Sequence, residues 1–107
     1  MSGFDDREKT QENKFVHDSD LEFKATARRN KLLGAWAAEL MGLSGEAVDA
    51  YAKEVIIADL EEKGDEDVFR KIRQDLDAKN VEMSDHRIRR QMDELLDVAR
   101  EQIQKGN

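Results

Sequence analysis

Residues 19–43 read SDLEFKATARRNKLLGAWAAELMGL, the longest stretch of the 107-residue chain with a single helical rhythm. Leu32, Leu33, Trp36, Ala37, Leu40 and Met41 recur at i, i+1, i+4, i+5, i+8 and i+9. That spacing predicts one broad apolar stripe on an α-helix, with Arg28, Asn30, Lys31 and Glu39 as polar positions around it. Ser19 with Glu22 three residues on forms a capping box and predicts the helix start there. Gly42 suits the left-handed turn that ends a helix. Trp36, the only tryptophan, sits mid-stripe and reads as a core anchor.

Downstream, Ser44 is the expected N-cap of a second helix whose face is Val48, Tyr51, Ala52, Val55, Ile56 and Leu60, extending through Glu62. Gly64 closes that helix and Asp65 caps the third, with Val68, Phe69, Ile72 and Leu76 as its face and Asn80 as its stop. Ser84 then caps a fourth helix with a stripe of Ile88, Met92, Leu95, Leu96, Ala99 and Ile103. Four amphipathic helices with short links and no proline predict an all-α fold, a four-helix bundle over residues 19–105. The third helix, short and poor in large residues, is expected to be the least stable.

Upstream, residues 1–18 hold Phe4, Phe15 and Val16 as the only bulky apolar groups after Met1. Between the two phenylalanines lies DDREKTQENK, which offers little to bury, so these residues are expected to form a flexible N-terminal segment. Phe4 and Phe15 are nevertheless about three helical turns apart and would share one face, an arrangement suited to folding on a partner.

Composition narrows the function classes. Apolar residues make up 38% and charged residues 40%, polar for a globular chain but periodic enough to fold. A net charge of −7 disfavours nucleic acid and anionic membrane surfaces. No apolar run approaches the roughly 20 residues of a membrane span, and the N-terminus lacks the pattern of a signal peptide. A cytoplasmic, non-membrane-embedded protein is therefore expected. With no cysteine, and with Ser19, Ser44 and Ser84 at helix caps rather than beside a candidate base, no enzyme is expected. His17-Asp18-Ser19-Asp20 and the acid-rich 61–67 run lack metal-ligand spacing, so no metal is expected. Neither common phosphate loop is present. Two basic clusters remain: Lys24, Arg28, Arg29 and Lys31 on the first helix, and His86, Arg87, Arg89 and Arg90 at the start of the last, where a helix N-terminus also favours anions.

FDDREKTQENKF, ARRNKLLGAWAAELMGLSG, YAKEV, DLEEKGDEDVFRKI and SDHRIRRQMDELL, in this order from Gly3 to Ile103, resemble the zeta subunit family of alphaproteobacterial F-type ATP synthases. The resemblance implies a small helical bundle whose N-terminal segment inhibits ATP hydrolysis. Inhibition would come from entry at an interface of the catalytic head, against its alpha, beta and gamma subunits. It places that role on Phe4, Asp5, Asp6, Arg7, Glu8, Lys9 and Phe15, and locates the protein on the soluble head of the membrane-bound enzyme. The resemblance also implies ADP or ATP as a regulatory ligand of the bundle, with no cofactor required. For that ligand the candidate residues are an exposed Tyr51 for adenine, and Arg28 and Arg29 or Arg87, Arg89 and Arg90 for phosphate. A competing reading is a stand-alone bundle that senses nucleotide or binds another protein, with a passive tail.

Overall fold

The computed structural model describes the backbone of residues 2–60 and 65–106, with side chains from Leu21 onward. Four helices follow in order: α1 (Ser2–Leu40), α2 (Glu46–Asp59), α3 (Glu66–Ala78) and α4 (Asp85–Gln104). The chain runs up and down. Gly34 of α1 faces Ala52 and Val55 of α2, which therefore returns antiparallel to α1. Asp65 at the start of α3 meets Arg29, while Asp75 farther along meets Tyr51. In α4, Asp85 lies beside Arg73, and Arg100 reaches Glu22. α1 is the spine, packed most extensively on α2 and α4.

The core is built from Leu33, Tyr51, Val55, Val68, Ile72, Leu76, Ile88 and Met92, with Ala37 and Ala38 filling the close approaches. Each large aliphatic side chain buried in this way contributes about 1.5–3 kcal/mol. Of the expected faces, Val68, Ile72 and Leu76 of α3 and Ile88, Met92 and Ala99 of α4 are buried, while Phe69, Leu95, Leu96 and Ile103 are partly covered. Their ends also match: the Ser84 hydroxyl accepts from the Arg87 amide at 3.0 Å, and Asn80 adopts a left-handed φ of 59°. Around Asn80 the Val81 amide donates to the Leu76 carbonyl and the Asn80 amide to the Asp77 carbonyl, which closes the orphan carbonyls of α3. Gly42, with φ 83°, ends α1 by the same pair of bonds, from Leu43 to Ala38 and from Gly42 to Glu39.

α1 departs from expectation in three ways. It begins at Ser2, so the capping box at Ser19 and Glu22 does not start it. A capping box is worth only about 1 kcal/mol, and the residues ahead of Ser19 are mostly good helix formers without proline. The buried stripe is also rotated: Ala25, Leu33, Ala37 and Ala38 are buried, whereas Leu40 is exposed and Leu32, Trp36 and Met41 are only partly covered. Small residues occupy the seam because α2 approaches closely there. Finally, Arg29 and Asn30 lie inside, not around, the packed face.

Two boundaries shift. Gly45, with φ 60° and ψ −131°, is the N-cap of α2, and no side chain caps it, so Ser44 does not serve that role. That backbone conformation needs glycine, and it sets the helix start one residue later. α2 ends at Asp59, before the expected Glu62, and the Gly64 turn lies outside the described residues. Asp65 is the N-cap of α3 as expected, yet its carboxylate makes no capping bond. Arg29 claims it instead.

Candidate functional site

Phe4, Asp5, Asp6, Arg7, Glu8, Lys9 and Phe15 all lie on α1. Their side chains, and the flexibility expected of residues 1–18, fall outside the described residues. What the backbone supplies is reach. Thirty-nine helical residues extend about 58 Å at 1.5 Å each, and the molecule measures 63 × 26 × 22 Å. Toward the N-terminus, the described ion pairs between α1 and the bundle end at Glu22, which accepts two bonds from Arg100 at 2.7 and 3.0 Å.

The six residues considered for nucleotide binding do not converge. Arg28 Nη1 donates to Gln102 Oε1 at 3.0 Å, near the end of α4. Arg87, Arg89 and Arg90 sit at the opposite end of that helix; Arg90 alone is twelve residues from Gln102, about 18 Å. Arg29 and Arg89 do reach adjacent residues at the start of α3, but each is held by a carboxylate there. Arg29 Nη2 binds Asp65 at 2.8 Å, and Arg89 binds both oxygens of Glu66 at 3.1 and 3.3 Å. Arg89 also lies over the Phe69 ring, 4.0 Å from its centre. Arg90 pairs with Glu94. The Arg87 side chain is exposed and has no carboxylate partner among the described residues.

Arg29 is the most unusual of these groups. Its guanidinium is 1% exposed and is held by Asp65 and by Asn30 Oδ1 at 2.7 Å. A buried cation is tolerated only when paired and hydrogen-bonded, so this set serves to tie α3 onto α1. Such a group is not available to an incoming anion.

Tyr51 is buried, as its place on the α2 face predicts, and so lacks the exposure that stacking on adenine requires. Its hydroxyl donates to Asp75 Oδ2 at 2.7 Å, and the Lys71 ammonium sits 5.1 Å from the ring centre. Burial first, and then the bond to Asp75, push the phenol well above its ordinary range. Lys71 bridges Glu54 and Asp75, so the ring is the floor of an α2–α3 clamp.

A different surface emerges between α1 and α2. Lys31, Asp49, Ala52, Lys53 and Ile56 line an open groove of about 370 Å³. Beyond one end stand Phe23, 73% exposed, and Leu60, 74% exposed, with Ile57 also well exposed nearby on α2. Sequence reasoning misses this patch: the spacing places Leu60 on the core face of α2, where the structure leaves it exposed, and Phe23 lies off the apolar stripe. An isolated large aromatic outside the dominant stripe was the available signal.

Among the described residues, no helix is long and apolar enough to cross a membrane. The family model described as ATPase inhibitor subunit zeta matches residues 1–102. A protein whose structure was solved in solution by NMR is similar at 46% identity and a TM-score of 0.72, over 81% of this chain and 99% of its own. A search of curated proteins returns no match.

Proposed function

This chain belongs to the ATPase inhibitor subunit zeta family, and from that premise we propose that it blocks ATP hydrolysis by inserting the N-terminal part of α1 at a catalytic subunit interface of an F-type ATP synthase head. The observation that supports this reading is the continuity of α1. One helix carries both the Phe4–Phe15 segment and the spine of the bundle. Rotary catalysis needs the subunit interfaces to open and close in turn. A helix wedged at one of them, anchored by Phe4 and Phe15 with Asp5, Asp6 and Arg7 setting register and Glu8 and Lys9 flanking, favours a single state and stalls turnover. The alpha, beta and gamma subunits are the partners in this proposal.

The test is ATP hydrolysis by the cognate head with the full chain and with a form lacking Met1–Phe15. Inhibition by the full chain that disappears in the shortened form is the expected result. Equal inhibition by both would sink the insertion mechanism and move the activity onto the bundle.

Regulation of the bundle by ADP or ATP forms a second part of the proposal. Arg87 in the first turn of α4, exposed and without a carboxylate partner among the described residues, favours the α4 cluster for phosphate over Arg28 and Arg29. On adding ADP, amide chemical-shift changes are expected around residues 84–90. Changes confined to other regions would reject that placement.

A further inference from the structure

Gly34 meets Ala52 where α1 and α2 cross. Because the helices are antiparallel, Asp59, the last residue of α2, lies opposite α1 near residue 27. Phe23 precedes Gly34 by eleven residues, three turns, and so stands on the side of α1 that α2 covers, but about one turn past the point where α2 stops. That is why a phenylalanine on the packing side is left exposed. Leu60, the C-cap of α2, is exposed at the same level, and Ile56 continues the apolar surface into the groove. From Phe23 to Lys31 the strip runs about 12 Å, more than two turns of a helix laid along it.

The rim carries two cations, one from each helix. In a chain of net charge −7, most described cations are neutralised by carboxylates of the chain itself, as Arg29, Lys71, Arg73, Arg89 and Arg100 are. Lys31 of α1 and Lys53 of α2 both line the groove beside Ala52 and Ile56, and form no ion pair among the described residues. Asp49 is the one acid lining the groove, at the end away from Phe23. An apolar strip flanked by two uncompensated ammonium groups complements a helix with an apolar face and carboxylates beside it.

We propose that this α1–α2 groove, from Phe23 and Leu60 to Lys31 and Lys53, docks an acidic amphipathic helix of the catalytic head as a second contact beside the inhibitory segment. The identity of the partner rests on the inhibitor reading. Its location follows from the continuity of the helix. Phe23 is eight residues, about 12 Å, beyond Phe15 on unbroken α1, so a head that grips the segment lies against the mouth of the groove.

The experiment uses the full chain and the isolated catalytic head, with equilibrium binding and ATP hydrolysis measured together. Two double variants are compared with wild type: Lys31→Glu with Lys53→Glu, and Phe23→Ser with Leu60→Ser. All four side chains lie at the surface, and thermal melting verifies that the bundle is intact. Each variant is expected to bind about tenfold more weakly or worse, with full inhibition recovered at saturating concentration. The charge-reversed form should also lose most of the salt dependence of binding. Wild-type affinity in both variants would overturn the groove while leaving the inhibitor reading standing. A wild-type chain that neither binds nor inhibits the head would overturn both. ADP-induced amide shifts at residues 31 and 53 of the wild-type chain, with head binding unchanged in the charge-reversed form, would make the groove a nucleotide site and also overturn the proposal.

Discussion

Gly34 and Ala52 leave no space between α1 and α2: a methyl group on Gly34 would lie 2.6 Å from the Ala52 Cα and 3.3 Å from Val55 Cγ2. The nearest atom is backbone, so relief requires α2 itself to move. Gly34→Ala gains about 1 kcal/mol of helix propensity but overpacks a fully buried contact, for a net loss of about 1–2 kcal/mol. Gly34→Val should cost more. Urea denaturation that finds Gly34→Ala as stable as wild type would contradict the close approach.

The buried Arg29 predicts an order of effects. Asp65→Ala strands a desolvated guanidinium and is expected to cost about 2 kcal/mol, tempered by the half-exposure of Asp65. Arg29→Met fills the space with apolar volume and should cost less. With the two combined, the Asp65 change should add little, because the charge it answers is gone. A double-mutant cycle on thermal or urea stability measures this coupling, and additive losses would refute it.

Tyr51 makes the stability of the fold sensitive to alkali. Burial and the Asp75 bond raise the folded phenol above the ordinary value of 10.0. The stabilisation is therefore complete below about pH 10 and is lost as the pH rises toward the folded value, because only the unfolded chain ionises there. Tyr51→Phe should lose about 1 kcal/mol at neutral pH with its hydrogen bond, and its stability should fall less steeply above pH 10. Parallel slopes for the two proteins from pH 9 to 12 would refute the assignment.

Asn80 tests the end of α3. At φ 59°, Asn80→Gly should change stability by less than about 0.5 kcal/mol, whereas Asn80→Ala should cost about 1 kcal/mol by forcing a Cβ into the left-handed region. Equal stability of the two variants would show that the turn relaxes.

The parts of this structure legible in the sequence are those governed by neighbours along the chain. The 3.6-residue spacing of Ile88, Met92 and Ala99 places α4 correctly, and Ser84 and Asn80 mark their helix ends by local backbone chemistry. α1 was misphased because bulk dominates a reading of apolar rhythm. Leu32, Trp36 and Leu40 outweigh Ala25 and Ala38 by size, yet a helix crossing this tight selects the small residues. The burial of Arg29 was invisible for another reason: its partner lies 36 positions away, and nothing local distinguishes it from Arg28. Tyr51 is legible as part of the α2 face, but its hydrogen bond to Asp75, 24 positions on, is not. For residues 4–15, spacing and composition point to a partner-binding element, while their side-chain geometry falls outside the described residues.

The arrangement of α1 between α2 and α4 also sets an order of events in time. The α1–α2 hairpin closes over a short stretch at Gly34 and Ala52, whereas Glu22 must wait for Arg100, 78 residues on. Closing the longer loop costs about 1.3 kcal/mol more in chain entropy. During synthesis the first two helices leave the ribosome ahead of α4, so the N-terminal side of α1 gains its last partner at the end. Gly34→Ala is accordingly expected to slow folding, and Ala99→Gly on α4 to speed unfolding, a division that a chevron plot of each variant would read directly. Seen kinetically, the spine of the bundle is half assembled early and completed last.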